Sequence, residues 1–303
     1  MPTGRFAPSP SGRMHLGNAF SALLAWLSIR AQGGTMVLRI ENLDPARCRP
    51  AYITQLREDL RWLGLDWDTE APLQSQRTAA YAAAFAALED RVYPCYCSRG
   101  ELLAASAPHL SDGRSVYPGT CRDLTPAQRA AKTKPPCWRL RVPDETITVQ
   151  DGLQGCYREN LARETGDFIV RRADGVHAYQ LAVVVDDLAA GVTEVVRGCD
   201  LLSSTPRQVY LYRLLGAAPP QYWHVPLLMA EDGRRLSKRE RDLDLGALAQ
   251  RMRPEQVVGA LAHWAGLRPT DAAVPAAELV REFDWSRVRR ENVTVPAEWE
   301  AGK

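Results

Sequence analysis

The sequence lacks any apolar run that approaches the ~20 residues of a membrane-spanning helix. Its N-terminus leads directly into an apparent strand and carries no signal-peptide pattern. Its seven cysteines are an odd number scattered along 303 residues, which argues against a disulfide framework. These absences predict a cytoplasmic protein with no membrane contact.

Lysine is also scarce, with only four among the 38 basic residues. One of the four, Lys238, stands between Arg235 and Arg239 in a polar stretch that follows an acidic turn. In a chain so biased to arginine, a lysine there indicates that a compact ammonium is preferred to a planar guanidinium. The net charge of +2 permits a local positive face for nucleic acid but does not require one.

A second polar segment lies near the N-terminus, where residues 5–18 read as a strand, a Pro/Ser/Gly turn and the start of a helix from Leu16 to Arg30. Small polar residues at a helix start let backbone N–H groups and the helix dipole face an anion. His15 adds a side-chain donor at the same place. Either segment alone is commonly a solvated loop, but the pair favours a nucleotide-phosphate site.

Together the two segments resemble the HIGH and KMSKS signatures of class I aminoacyl-tRNA synthetases. The resemblance implies that the protein binds ATP with Mg²⁺ and activates an amino acid as its adenylate. It makes His15 and Lys238 the catalytic residues. The implied ATP-binding residues are His15, Gly17, Asn18, Ser237 and Lys238. Asn18 replaces the second histidine of HIGH and Arg235 the first lysine of KMSKS; asparagine still donates hydrogen bonds and arginine keeps the charge.

Strand and helix patterns alternate along the chain, which predicts an α/β fold with a parallel sheet and right-handed crossovers. The resemblance makes this a Rossmann-type synthetase catalytic domain with an insertion and a short helical C-terminal region. We divide the chain into catalytic segments 1–91 and 166–230, an insertion 92–165, and a loop and helical region 231–303. Ligands bind such sheets at the carboxyl ends of strands, here just after Ala7, Ile40 and Arg197.

Four further stretches, residues 5–12, 39–44, 179–187 and 196–202, resemble the glutamyl branch of class I synthetases. Glutamate has two carboxylates and one ammonium, so its pocket needs cations at two points and an anion at one. Arginine guanidinium groups can pair with the carboxylates through two hydrogen bonds, and Glu41 can pair with the ammonium. The family's substrate-binding positions fall on Arg5, Phe6, Ala7, Pro8, Ser9, Glu41, Tyr179 and Arg197. The alternative is a structural ion-pair network beneath the sheet, with Glu41 bridged to an arginine.

The insertion contains Cys95, Cys97 and Cys121, three thiols whose spacing suits tetrahedral zinc. By chemistry alone the fourth ligand is open among His109, Cys137 and Tyr117. The resemblance implies Tyr117, because the short glutamyl-type members use Cys-x-Cys…Tyr-x3-Cys, and it makes the zinc structural, one per chain. The alternative is three buried free cysteines without a metal.

Only about 64 residues follow the KMSKS-like stretch, too few for the usual anticodon-reading domain. This shortened pattern resembles the glutamyl-Q tRNA(Asp) synthetase family. Its members activate glutamate without tRNA and transfer it to the queuosine base in the anticodon of tRNA(Asp). The alternatives are a truncated synthetase that charges the 3′ end of tRNA(Glu), a nucleotidylyltransferase of related fold, and a non-catalytic tRNA-binding paralogue.

Overall fold

The computed structural model describes residues 1–44, 47–98, 100, 116–236 and 244–300 of this protein. The strands are, in chain order, β1 (Thr3–Phe6), β2 (Thr35–Leu38), β3 (Thr69–Glu70), β4 (Val92–Cys95), β5 (Cys137–Leu140), β6 (Thr146–Asp151), β7 (Gly155–Asn160), β8 (Phe168–Arg171), β9 (Glu194–Gly198), β10 (Gln221–Val225), β11 (Leu228–Met229) and β12 (Val293–Thr294). The α-helices are α1 (Leu16–Ala31), α2 (Pro50–Trp62), α3 (Thr78–Ala86), α4 (Pro126–Ala130), α5 (Leu161–Glu164), α6 (Tyr179–Ala189), α7 (Thr205–Leu214), α8 (Leu245–Ala249), α9 (Pro254–Ala265), α10 (Ala276–Leu279) and α11 (Ala297–Glu300).

The central sheet is parallel, as the sequence predicts. β1, β2 and β3 pair in parallel, and β10 pairs in parallel with both β9 and β6. The two halves meet between β1 and β9, where the backbone N–H of Thr193 donates to the carbonyl oxygen of Thr3 at 2.9 Å. Only β7 runs antiparallel, in a hairpin with β6. The carboxyl ends of β1, β2 and β9 therefore lie at one edge, and the α/β prediction is confirmed.

Helix α1 covers this sheet because its apolar residues are buried almost completely. Ten of its side chains are buried, and the helix packs against β1, β2 and β9. Gly4 makes the close approach possible, since a Cβ there would lie 2.4 Å from the side chain of Ile29. The helix begins at Leu16, directly after the turn that leaves β1, and so its N-terminus lies at the carboxyl edge of the sheet.

A second, antiparallel sheet has the order β4-β5-β8. β4 is an edge strand, so Pro94 costs the ladder no internal hydrogen bond. A separate small cluster of buried residues, Tyr93, Cys95, Tyr117 and Cys121, packs beside it. The division into catalytic segments and an insertion at 92–165 stays a prediction about the chain.

The C-terminal helices return to the catalytic part of the chain through a short parallel pair. β12 pairs with β11, with Val293 opposite Leu228 and Thr294 opposite Met229. Met229 also forms an isolated antiparallel bridge with Arg235. Within the described ranges, no helix has both the length and the apolar character that crossing a bilayer requires.

The apolar spacing of the sequence predicts one helix over Tyr81–Arg91 and another over Ala276–Phe283, and both are shorter in the structure. The helix expected over Tyr81–Arg91 covers Thr78–Ala86 and is followed by a separate 3₁₀ turn at Glu89–Arg91. The one expected over Ala276–Phe283 ends at Leu279. In both cases apolar residues beyond the last helical turn still pack on the core, although their backbone is irregular. Their spacing therefore looks helical in the sequence.

Candidate active site

A cavity of about 450 Å³ opens at the carboxyl edge of the central sheet. It is lined by every predicted glutamate- and ATP-binding residue that the structure describes: Arg5, Phe6, Ala7, Pro8, Ser9, His15, Gly17, Asn18, Glu41, Tyr179 and Arg197. Ser237 and Lys238 lie outside the described residues. The fold therefore brings together, in one place, residues from β1, α1, the end of β2, α6 and β9.

Glu41 reaches the cavity because the parallel pairing of β1 and β2 continues past both strands. The backbone N–H of Arg39 donates to the carbonyl oxygen of Phe6 at 2.8 Å, and that of Glu41 donates to Pro8 at 3.0 Å. This extension sets the Glu41 side chain beside the turn that carries Ser9. Tyr179 is the first residue of α6 and is half-buried at the same cavity.

Beneath the cavity lies a buried charge cluster, which we define as Arg5, Arg39, Arg197, Glu41 and Asp187. Arg39 Nη2 lies 3.0 Å from Glu41 Oε1, and Arg39 Nη1 contacts Asp187 Oδ1. Asp187 Oδ1 also lies 3.5 Å from Arg5 Nε. All five side chains are at most 9% exposed. Glu41 is thus bridged to an arginine and lines the cavity as well, so the structural and the ligand-binding interpretation describe the same residue.

Two members of the charge cluster, Arg39 and Asp187, were not predicted as site residues. Both stood inside stretches that pointed to the glutamyl branch. The signal for Asp187 was a pair of consecutive aspartates in the apolar helix α6, both of which the structure buries. A buried carboxylate requires a positive partner, and here that partner comes from a distant strand.

Burial shifts the ionisation of the cluster. It lowers the pKa of Arg5, with Asp187 opposing that change. It raises the pKa of Glu41, and the neighbouring Arg39 opposes the increase. Burial likewise raises the pKa of the Tyr179 hydroxyl, so this group stays a neutral hydrogen-bond donor and acceptor at neutral pH.

His15 is the N-cap residue of α1, and its side chain is 8% exposed. The first turn of the helix has no acidic residue, so the positive end of the helix dipole is not offset there. Gly17 lies directly beside the imidazole, since a Cβ on it would be 3.3 Å from ring atoms of His15. A glycine at this point keeps both the ring and the first helical turn open to a ligand.

The two flanks of the stretch 237–243 are both attached to this cavity. On one side Arg235 forms an ion pair with Asp200, and both residues line the cavity. On the other side Asp244 lies 3.7 Å from Arg13, and the backbone N–H of Leu245 donates to Met14 at 2.8 Å. The flank before Lys238 therefore meets the cavity at Asp200, and the flank after it meets the turn that carries His15.

The predicted metal ligands of the insertion also meet. The sulfur atoms of Cys95, Cys97 and Cys121 all lie within 4.8 Å of one another. Around zinc with Zn–S bonds of about 2.3 Å, tetrahedral sulfurs are about 3.8 Å apart. The Cys97–Cys121 distance of 3.6 Å fits that value. The described residues include no further cysteine, histidine or carboxylate within this group.

Tyr117 is placed as a fourth ligand would be. Its hydroxyl oxygen lies 3.4 Å from the sulfur of Cys95, against about 3.5 Å expected for oxygen and sulfur ligands on one zinc. Of its two rivals, Cys137 is not one of the three grouped sulfurs, although its thiol lies near Cys95, and His109 lies outside the described residues. The donor set therefore fits a closed zinc site.

Arg139 supports the same group from β5. Its Nε–H donates to the sulfur of Cys95 at 3.3 Å, and its guanidinium lies 3.7 Å from the centre of the Tyr117 ring. Hydrogen bonding from Cys137, and then from Tyr117 and Arg139, lowers the pKa of Cys95 to about 4. The lowered pKa favours the thiolate, which is the form of cysteine that binds metals.

The family described as tRNA synthetases class I (E and Q), catalytic domain, matches residues 3–274. Two relatives carry the name glutamyl-Q tRNA(Asp) synthetase. The protein from Symbiobacterium thermophilum is 52% identical over 97% of this chain and 96% of its own length. That from Nitratidesulfovibrio vulgaris is 51% identical over 88% of this chain and 87% of its own.

The fold agrees with solved structures of full synthetases. A glutamate tRNA ligase from Elizabethkingia meningosepticum, solved in complex with its amino acid, superposes with a TM-score of 0.83 at 26% identity. The match covers 99% of this chain and 68% of that one. By sequence over nearly its whole length, and by fold, this chain belongs to the glutamyl-Q tRNA(Asp) synthetases, ligases of the class I aminoacyl-tRNA synthetase type.

Proposed function

We propose that this protein uses ATP to activate glutamate as glutamyl-adenylate without tRNA, and then transfers the glutamyl group to the queuosine base in the anticodon of tRNA(Asp). The observation that carries the proposal is the charge cluster under the cavity. Its three guanidinium groups and two carboxylates sum to one net positive charge when ionised. Glutamate, with two carboxylates and one ammonium, carries the single opposite charge.

We assign the glutamate contacts to Arg5, Phe6, Ala7, Pro8, Ser9, Glu41, Tyr179 and Arg197. The arginines bind carboxylates and Glu41 attracts the ammonium, while Ser9 and Tyr179 fix orientation through hydrogen bonds. Ionised partners in a water-poor site make such contacts strong. Holding the α-carboxylate in line with the α-phosphorus of ATP removes much of the entropic barrier.

ATP would lie across the start of α1, with His15, Gly17 and Asn18 on one side and Ser237 and Lys238 on the other. Backbone N–H groups at the helix start, the imidazole and the ammonium would stabilise the charge that develops on the phosphates, with Mg²⁺ accompanying the nucleotide. The attachment of both flanks of residues 237–243 to the cavity, at Asp200 and at Arg13, supports this arrangement. Pyrophosphate leaves and glutamyl-adenylate remains.

We infer that one zinc ion is held by Cys95, Cys97, Tyr117 and Cys121. Four protein ligands leave no open position, so the ion would order the insertion rather than take part in the chemistry. Lys132 and Lys134 lie beside the group, in a shallow cavity that also contains Cys97 and Cys121. These two cations suit contact with an RNA backbone.

For the acceptor, the anticodon stem-loop of tRNA(Asp) would come to the active site itself, where a queuosine hydroxyl attacks the activated carbonyl and AMP leaves. In the basic stretch 287–290, Arg289 and Arg290 are exposed, whereas Val288 is buried and Arg287 bonds backbone carbonyls. Arg289 and Arg290 are therefore the candidate phosphate contacts there. We also expect the protein to act in the cytoplasm, where its tRNA substrate is found.

The test has two stages. ATP–pyrophosphate exchange without tRNA should depend on glutamate alone among the amino acids. The enzyme is then given radiolabelled glutamate, ATP and tRNA(Asp) with or without queuosine, or tRNA(Glu). Label on queuosine-containing tRNA(Asp) that survives periodate oxidation of the 3′-terminal ribose would support the proposal. Label confined to the 3′ end of tRNA(Glu) would identify a shortened conventional synthetase, and no exchange at all a non-catalytic paralogue.

A further inference from the structure

Arg197 is held from behind by a buried chain of hydrogen bonds that starts at Asp151. The Nδ1 of His224 lies 2.6 Å from Asp151 Oδ2, and the Nε–H of Arg197 donates to Nε2 of the same histidine at 3.0 Å. Arg197 Nη2 donates to the hydroxyl of Thr205 at 2.9 Å. Both Asp151 and His224 have fully buried side chains. Within the described residues, Arg197 Nη1 has no hydrogen-bond partner.

The chemistry of the three groups fixes the position of one proton. Arginine only donates, so His224 Nε2 must present its lone pair to Arg197. An ionised aspartate only accepts, so His224 Nδ1 must carry the proton. Asp151 thereby sets the tautomer of His224, and that tautomer is the one that accepts from Arg197. Burial lowers the pKa of His224, which keeps the ring neutral as this arrangement requires.

We propose that Asp151 and His224 are positioning residues that orient Arg197 for a substrate carboxylate. The inference rests on the proposed function, in which Arg197 binds glutamate. A guanidinium is planar, so fixing Nε and Nη2 fixes the direction of Nη1 as well. Asp151 ends β6, His224 lies on β10 and Arg197 on β9. Residues on three adjacent strands therefore set the orientation of the Arg197 guanidinium. None of the sequence motifs singled out Asp151 or His224.

The sharpest test is Asp151→Asn. Its Oδ1 can keep the bonds that Asp151 Oδ1 accepts from the backbone N–H groups of Leu153 and Gln154, at 3.0 and 2.8 Å. Its amide, however, would donate to His224 Nδ1 and drive the ring proton to Nε2, against the Nε–H of Arg197. We expect the KM for glutamate in pyrophosphate exchange to rise about 10- to 100-fold, as for a lost hydrogen bond to a charged group. The KM for ATP should stay near the wild-type value.

Substitutions of the histidine extend the test. His224→Leu removes the acceptor for Arg197, whereas His224→Gln keeps an amide oxygen near the position of Nε2. The glutamine variant should therefore recover part of the glutamate affinity that the leucine variant loses. Nitrogen-15 NMR of the histidine rings should show the proton of His224 on Nδ1 in the wild type and on Nε2 in Asp151→Asn.

Glu194→Gln is the matched control. Glu194 is a buried carboxylate at the other end of β9, where it bonds Ser28 and Gln32. The Glu194→Gln variant should change the melting temperature without a selective change in the KM for glutamate. A wild-type glutamate KM in Asp151→Asn, equal losses for glutamate and ATP, or the proton on Nε2 in the wild type would each overturn the positioning role. A wild-type protein without glutamate-dependent exchange would instead overturn the proposed function, on which that role depends.

Discussion

The charge cluster and the cysteine group are both small, buried and polar, but they are completed in different ways. The cluster draws Arg5, Glu41 and Arg197 from three separate strands or strand ends, and its guanidinium and carboxylate groups largely compensate one another. The cysteine group comes mostly from one short stretch of chain and gathers sulfurs that favour a cation. The charges of the first are largely balanced within the protein, whereas the three sulfurs of the second would be balanced by the proposed zinc ion.

The largest expected effect concerns the substrate that the cluster accepts. Glutamine differs from glutamate only in a neutral amide, which would leave one guanidinium of Arg5 or Arg197 poorly paired. Sites built on polar pairing discriminate by about 10⁴–10⁵, so we expect that ratio in kcat/KM for pyrophosphate exchange. Comparable rates with glutamine or aspartate would show that the cluster is structural rather than a binding site.

The second prediction is that Lys238→Ala lowers the exchange rate by about 10²–10³, the usual cost of removing a donor to transition-state charge. The melting temperature should not change, because Lys238 stands in a polar stretch of the sequence, away from any apolar core pattern. Lys132→Ala is the matched control, since Lys132 lies beside the cysteine group and should not affect exchange without tRNA. Near-wild-type exchange in the Lys238 variant would remove this residue from the mechanism.

Removing the metal should distinguish the role of the charge cluster from that of the cysteine group most directly. Protein purified without chelator should hold one zinc per chain, and Cys95→Ser, Cys97→Ser or Cys121→Ser should lose it. Glutamate-dependent exchange should survive the loss, whereas transfer to tRNA should fall, because the insertion is then disordered. Tyr117→Phe should weaken zinc binding less than the serine variants. Metal analysis that finds no zinc would refute the site.

A smaller effect is expected from pH. Burial raises the pKa of Glu41, so this carboxylate gains a proton at a higher pH than an ordinary glutamate, whose pKa is about 4.3. Protonation removes the charge that attracts the substrate ammonium, so the KM for glutamate should rise as the pH falls. Glu41→Gln should raise that KM at all pH values and flatten its pH dependence. An unchanged pH profile in this variant would assign the dependence to another group.

The alternating strands and helices of the central sheet were predicted well from the sequence. The sequence pattern predicts a strand over Phe168–Arg171 and a helix over Tyr179–Ala189, which are the observed bounds of β8 and α6. The predicted helix Leu16–Arg30 ends one residue before α1 does. In these elements the apolar spacing and the secondary structure have the same cause, burial on one sheet. Strands β4 and β5 were not predicted, since Pro94 and the cysteines gave that region the character of irregular chain.

Among the candidate site residues, those that line the cavity were predicted, and those that contact them from behind were not. Arg5 and Arg197 stand in stretches whose chemistry suits glutamate directly. Asp187 and His224 instead contact Arg5 and Arg197, and each of these pairs joins two different elements of the fold. No local spacing reports such a pairing, because it depends on how the strands are ordered in the sheet.

The pairing of β11 with β12 has a consequence for synthesis of the chain. β11 leads into Arg235, and its parallel partner lies at Val293–Thr294, some sixty residues later. Because domains fold from the N-terminus as they emerge, the catalytic sheet can form on the ribosome well before this pair. The base of the stretch that carries Lys238 is completed only when residue 295 has emerged. A nascent chain would therefore form the proposed glutamate pocket before the strand pair that leads to Lys238.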